Sequence, residues 1–161
     1  MKSYHRIIVL LVVLATLIAL SARVFAANTA DTAFNDFFYE GDNNNYLPPR
    51  EKTNTTPHYL YITSGTDATV RVKSLGSTNE DFANANNVFN ATYSNGGIVA
   101  YVISRVGTKY SVHNLVYESL SSYNNKYASI AILGLYSKDN AGYVTGVWSP
   151  DSSGTYVSAR Q

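Results

Sequence analysis

The sequence predicts an all-β protein, a single antiparallel β-sandwich of the immunoglobulin-like type with about seven strands. Beyond residue 58, short runs rich in tyrosine and β-branched residues alternate with turn-forming residues. No convincing helical pattern occurs in that region. The 135 residues 27–161 are enough for one domain with a sizeable core. A small closed barrel is the alternative architecture.

The first 26 residues have the pattern of a secretory signal peptide. A basic start at Lys2, His5 and Arg6 precedes an apolar run over residues 7–20, and small residues stand before Ala26. A membrane anchor is the competing interpretation, but the run is shorter than the roughly 20 apolar residues that cross a bilayer. We therefore expect cleavage after Ala26, secretion, and no membrane span in the mature chain.

Composition narrows the classes of function. Without the leader, nine basic residues face eleven acidic ones, so the mature chain carries about −2 and lacks the basic stripe of nucleic-acid-binding proteins. We expect no nucleic-acid partner. The chain has no cysteine, which excludes disulfides, thiol nucleophiles and cysteine-ligated zinc. Exported proteins without cysteine are frequent in Gram-positive bacteria, so the composition favours that origin.

Residues 27–57 are predicted to be a flexible linker. Phe34, Phe37 and Phe38 have the spacing of one face of a short helix starting near Asp31, and the Asn/Asp-rich stretch 41–45 ends that pattern. Whether this segment docks on the domain is left open by the sequence. The β-sandwich domain is expected to occupy residues 58–161.

Two hairpins are predicted in the first half of the domain. Residues 59–63 and 68–74 flank a turn at 64–67, and the second of these runs alternates apolar and charged side chains. Residues 97–105 and 108–118 flank Val106 and Gly107, a connection short enough to indicate antiparallel pairing. The polar stretch 76–95 is expected to be a loop that connects the hairpins.

Three further strands complete the prediction. Residues 128–136 are almost continuously apolar, which is typical of a central strand covered on both faces. Residues 143–148 alternate, and the side with Val144 and Trp148 is expected to face the core. We therefore interpret Trp148, the only tryptophan, as a core residue and not as a platform for a ligand. Residues 155–158 form the last strand.

The sequence offers little for catalysis or metal binding. A nucleophilic triad needs a histidine, but the mature chain has only His58 and His113, and the G-x-S-x-G turn is missing. Two distant histidines without cysteine do not indicate zinc. Glu80 and Asp81 are adjacent, so they point apart instead of pairing as glycosidase carboxylates do. We expect no enzyme activity, no catalytic or metal-binding residues and no cofactor.

Tyrosine is the remaining candidate for recognition. Thirteen of the 135 mature residues are tyrosine, and such large, stiff, amphipathic rings contact sugars, peptides or other proteins. Tyrosine also suits a half-buried pleated surface without any ligand. The strand pattern indicates a possible binding surface made of Tyr59, Tyr61, Tyr101, Tyr110 and Tyr143.

The leader, the Asn/Asp-rich linker, "VRVKSLGS" at 70–77 and "GVWSPDSSG" at 146–154 together resemble the DUF2712 family of small secreted proteins from bacilli and their relatives. The resemblance covers roughly residues 56–158. It implies no catalytic residues, since the function of that family is not established. The lactococcin 972 type of bacteriocin is a more distant similarity, which would imply action on a wall precursor. Its tryptophan-rich start is not found in this chain.

Two classes of function follow as expectations. The first is a secreted, non-enzymatic binding protein of a Gram-positive bacterium, whose partner is a protein or a cell-wall component. The second is a bacteriocin-like effector that acts at the envelope of a competing cell.

Overall fold

The computed structural model describes residues 27–38, 46–66, 68–133 and 142–161. The predicted signal peptide and its cleavage site lie outside the described residues, as do the whole stretch 41–45 and the end of the predicted strand 128–136. The described residues form two five-stranded sheets and a separate two-stranded hairpin.

The strands follow one another as β1 (Thr32–Phe38), β2 (Arg50–Glu51), β3 (His58–Gly65), β4 (Thr69–Ser77), β5 (Phe89–Asn90), β6 (Tyr93–Ser94), β7 (Gly97–Ile98), β8 (Val102–Arg105), β9 (Lys109–Val112), β10 (Tyr127–Leu133), β11 (Gly142–Ser149) and β12 (Val157–Ser158). A single helical turn, α1 (Val116–Ser119), follows β9. The first sheet has the order β1-β11-β3-β9-β12, and the second has the order β2-β10-β4-β5 with β8 also paired to β4. Strands β6 and β7 form the hairpin.

The predicted fold class is confirmed. The chain is nearly all β, and every strand pair is antiparallel except β12 with β9. The structure has more strands than the seven predicted. The stretch 97–105 divides into β7 and β8, and 108–118 divides into β9 and α1. Two apolar faces packed on each other bury the core, as a sandwich requires.

Both predicted hairpins are wrong in their pairing. Strand β3 pairs with β11 and β9, whereas β4 pairs with β10, β5 and β8. The connection between β3 and β4 therefore crosses from one sheet to the other, and so does the connection at Val106 and Gly107 between β8 and β9. A short connection brings two strands close together, but in a sandwich they can face each other across the core instead of sharing a ladder.

The predicted helix near Asp31 is also wrong. Residues Thr32–Phe38 are strand β1, which pairs along its whole length with β11. Phe34 is buried in the core, whereas Phe37 on the opposite face is exposed, as period-two alternation dictates. The segment predicted as a linker thus contributes strands to both sheets, because β2 pairs with β10.

The stretch predicted as a crossing loop, 76–95, is partly structured. Gly76 and Ser77 end β4, and the stretch also contains β5 and β6. A tight turn at Asn95 and Gly96, both with positive φ, joins β6 to β7. An Asn-Gly pair is the preferred sequence for such a turn.

The prediction for β10 as a central strand is confirmed over its described residues. It lies between β2 and β4, and all its residues after Tyr127 are buried. Ile130 and Ile132 enter the core between the sheets. On the other side, Ala131 forms a bridge with Tyr46, whose ring contacts that of Phe82.

Trp148 is a core residue, as predicted. On β11 the residues Val144, Gly146 and Trp148 are buried, and the intervening ones are more exposed. The Trp148 side chain has no exposed surface and packs edge-on against the ring of His58, with 6.0 Å between centroids. A ligand cannot reach the indole in this arrangement.

Candidate functional site

A buried ion pair joins the segment after β2 to the turn after β11. Lys52 follows β2, and Asp151 lies in the turn after β11. The Lys52 ammonium donates to Asp151 Oδ1 over 2.5 Å, and neither side chain has exposed surface. The same ammonium also donates to the Thr56 carbonyl. The pair is separated by 99 positions in the chain, so no local pattern indicates it.

The second oxygen of the Asp151 carboxylate accepts three hydrogen bonds. Oδ2 accepts hydrogen bonds from the backbone N–H of Asn28 at 2.8 Å and of Thr53 at 3.1 Å, and from the Thr53 hydroxyl at 2.5 Å. These donors explain how a carboxylate remains buried, because a buried charge needs both a counter-ion and hydrogen bonds. The cluster holds three segments of the chain together.

His58 lies in the core next to this pair. Its Nδ1 is 2.7 Å from the carbonyl of Pro150, and its Nε2 is 2.6 Å from Ser74 Oγ, which connects the two sheets. The Pro150 carbonyl only accepts, so Nδ1 carries the proton and Nε2 accepts from the Ser74 hydroxyl. Both His58 and Ser74 are fully buried. The histidine–serine contact therefore joins the layers of the sandwich in a place closed to solvent.

Burial dominates the electrostatics of the cluster. Burial and, to a smaller extent, the Lys52 charge lower the pKa of His58 from 6.5 to about 3. Burial also lowers the pKa of Lys52, against the hydrogen bond and charge of Asp151. Burial alone would raise the pKa of Asp151, but the hydrogen bond and charge of Lys52 and the Thr53 and Asn28 donors outweigh it, so this pKa is lowered.

The structure brings three of the five predicted surface tyrosines onto one face and separates the other two. Tyr59, Tyr61 and Tyr143 lie on the outer face of the first sheet, opposite the core. Tyr110 points inward, is 8% exposed and belongs to the core cluster. Tyr101 precedes β8, and the Arg71 guanidinium lies 4.5 Å from the centre of its ring. The prediction of one surface made of all five is therefore wrong.

We call the outer surface of the first sheet the aromatic face, which consists of Phe37, Tyr59, Tyr61, Tyr143 and Tyr156. Phe37 and Tyr143 are direct partners across β1 and β11, and they are 52% and 47% exposed. Tyr61 lies further along the same face, with the Lys109 ammonium 5.6 Å from its ring centre. Tyr59 is covered by Tyr156 at 4.7 Å between centroids, so it supports the face without being accessible.

Sequence reasoning missed Phe37 and Tyr156 as members of this face. Phe37 was placed on a predicted helix, and Tyr156 precedes a short strand. The signal that identifies Phe37 is alternation: Phe34 and Phe37 have opposite parity, so a strand places their side chains on opposite faces.

His113, the second histidine, lines a surface cavity of about 330 Å³ together with Tyr93, Ser94, Asn95, Ser158, Ala159 and Arg160. Its Nε2 is 3.2 Å from Ser158 Oγ. In the part of the chain that the structure describes, no group of three or more histidine, cysteine or acidic residues is arranged to hold a metal ion. Those same residues include no helix that is long and apolar enough to span a bilayer.

Comparison with known proteins identifies a family for this chain. Residues 22–152 match the family described as protein of unknown function (DUF2712). The match begins well before the stretch in which the resemblance was noted, and it includes β1, β2 and the Lys52–Asp151 pair. No curated protein and no solved structure matches the chain. Because the match extends over most of its length, the chain belongs to the DUF2712 family.

Proposed function

We propose that the protein is exported by a Gram-positive bacterium and acts as a non-enzymatic binding protein whose contact surface is the aromatic face. The proposed export depends on the leader pattern of residues 1–26. The partner that we propose is a cell-wall component or another exported protein.

One observation carries the proposal for the contact surface. Phe37 and Tyr143 are adjacent large rings on the outer surface of the first sheet, and about half of each side chain is exposed. Aromatic side chains supply much apolar contact area at low conformational cost, which is why they are enriched where proteins bind other molecules. Tyr61 on the same face adds a hydroxyl group for hydrogen bonding.

The sequence and the structure give this face a rigid support. Strands β11 and β3 lie beneath it, and the core residues Trp148 and Leu60 fix their inner sides. Aromatic side chains have few rotatable bonds, so they lose little side-chain entropy when a partner binds. An open sheet surface of this kind suits an extended ligand better than a small molecule, which binds in a concave pocket.

The test is a pull-down with the tagged mature chain, residues 27–161, against purified cell-wall fragments and culture-supernatant proteins. We expect wild-type protein to be retained by one of them, and a Tyr61→Ala/Tyr143→Ala variant to lose at least about tenfold in affinity, the loss expected when hot-spot rings are removed. Tyr123→Ala is the matched control, because this ring is 55% exposed but lies outside the aromatic face.

Circular dichroism and Trp148 fluorescence establish that each variant is folded. Retention of the double variant at wild-type strength, or no retention of wild-type protein on either material, would contradict the proposal. Export is tested separately by sequencing the N-terminus of protein recovered from the culture medium. We expect this sequence to begin at Ala27.

A further inference from the structure

A second surface lies at the edge of the sandwich, where β12 ends the first sheet. Two neighbouring cavities, of about 330 and 450 Å³, share Ser158 and Arg160 in their linings. The first is also lined by Asn95 and His113, and the second by Arg105. We call the two together the cationic groove.

The backbone fixes the positions of these side chains. Strand β12 runs parallel to β9, with Ser158 opposite Ser111. The chain then reaches the other sheet, where the Ile103 N–H donates to the Arg160 carbonyl over 2.8 Å. Since Arg160 uses its backbone in this bridge, its exposed side chain remains available to the groove.

The segments that line this groove contain basic but no acidic side chains. Residues 82–117 and 152–161, which supply the residues that line it, contain no aspartate or glutamate. Within the described part of the chain, no carboxylate forms an ion pair within 4.0 Å with Arg105 or Arg160. Gln161 also lines the second cavity, so its terminal carboxylate offsets one of the two arginines, and the groove carries a small net positive charge although the mature chain carries about −2.

Neutral polar groups are placed between the cations. Asn95, Ser94 and Ser158 line the first cavity beside His113 and Arg160. Amides and hydroxyls recognise hydroxyl groups of a ligand, whereas arginine recognises phosphate by paired hydrogen bonds. The combination fits a ligand that carries both kinds of group along its length.

We propose that the cationic groove binds a polyol phosphate polymer, with Arg105 and Arg160 contacting phosphates and Asn95 and Ser158 contacting hydroxyls. Nucleic acid fits less well, because proteins that bind single strands stack bases on exposed aromatic rings. Of the two rings that line the groove, Tyr110 is only 8% exposed and Tyr93 is half-buried. The inference concerns a site separate from the aromatic face and is independent of the function proposed for that face.

The test is titration of the mature chain with fluorescently labelled poly(glycerol phosphate) at several salt concentrations. We expect binding that weakens as salt increases, because binding releases counter-ions from the polymer. Arg160→Gln removes one phosphate contact, so we expect weaker binding and a salt slope smaller by about 1. Lys73→Gln is the matched control: it also removes one positive charge, but its residue lines a different cavity, on the second sheet.

Several results would contradict binding of the polymer at the cationic groove. Equal weakening by Arg160→Gln and Lys73→Gln would overturn the proposal, since it would indicate attraction by overall charge. Duplex DNA or neutral dextran bound as tightly as the polymer would also overturn it, as would no binding at low salt. The Tyr61→Ala/Tyr143→Ala variant is expected to bind the polymer normally, and its failure to do so would place the site on the aromatic face instead.

Discussion

The Asp151 carboxylate is a buried charge, and each of its oxygens has a hydrogen-bond partner. Its two oxygens accept from Lys52, Thr53 and Asn28, and its own backbone carbonyl accepts from the Ser149 hydroxyl over 2.7 Å. A buried ion pair does not guarantee net stability, because desolvation offsets much of the attraction between the charges. Removal of only one partner is nevertheless costly, because the other charge remains buried and uncompensated.

Asp151→Asn tests this dependence. The substitution keeps the shape of the side chain but leaves the Lys52 ammonium buried without a counter-ion, so we expect the free energy of unfolding to fall by about 3–5 kcal/mol. Urea denaturation at neutral pH measures the change. The double variant Lys52→Met/Asp151→Asn removes both charges, keeps an acceptor for the Asn28 and Thr53 donors, and is expected to lose less than Asp151→Asn. A larger loss in the double variant would contradict the charge argument.

His58 makes stability depend on pH. Its pKa is about 3 in the folded chain and near 6.5 when unfolded, so between these values the unfolded chain binds a proton that the folded chain does not. The contribution of His58 to the free energy of unfolding is complete at pH values above the unfolded-state pKa of 6.5. Below that pKa it decreases by roughly 1.4 kcal/mol for each pH unit.

The pH effect is measured by urea denaturation between about pH 7 and pH 5, above the range where most carboxylates titrate. His58→Gln has no titratable ring and is expected to flatten the profile in that interval. An unchanged slope in this variant would assign the dependence to other groups.

At the scale of elements, the close contact between β11 and its neighbours depends on one glycine. The ladder between β11 and β3 shifts register between Thr145 and Gly146. A Cβ at Gly146 would collide with the Tyr61 carbonyl and would lie 2.8 Å from Phe34 Cζ. Glycine is thus required because both backbone and side chain approach it, not because of an unusual φ.

Gly146→Ala is expected to destabilise the fold by about 1–3 kcal/mol, the range for overpacking of a well-filled core. Gly97→Ala is the matched control, because a Cβ there meets no atom within 4 Å. Thermal unfolding monitored by circular dichroism compares the two. Equal melting temperatures would show that β1 and β3 move apart without cost.

The sequence predicted the positions of individual strands better than it predicted which strands pair with each other. Alternation placed Trp148 in the core, and the apolar run located β10, because both signals are local. Pairing depends on which strands meet across the sandwich, and the crossing between β3 and β4 has no local signal. Strand β1 was missed because the spacing of its phenylalanines also fits a helix. The buried pair was not predictable because its members are 99 positions apart.

At the scale of the whole molecule, the described fold begins before residue 58. Phe34 and Leu47 lie in the core, and Lys52 neutralises Asp151. We therefore expect the fold to require the segment 27–57.

A truncated chain, residues 58–161, tests this requirement. We expect it to remain unfolded or to aggregate, because it exposes β11 and β10 as new edges and buries Asp151 without its counter-ion. Trp148 emission and circular dichroism report the outcome, with the chain 27–161 as the reference. A cooperative melting transition in the shorter chain would refute the requirement.

The hydrogen bond from Asn28 to Asp151 has a consequence for the order of events in folding, since it spans 123 positions. The first sheet reaches its final width only when β12, close to the end of the chain, has left the ribosome, and the second sheet only when β10 has, because β12 pairs with β9 and β2 needs β10. Such a high contact order slows folding to milliseconds or seconds. We therefore expect the nascent chain to stay unfolded through most of its synthesis, as the proposed export requires.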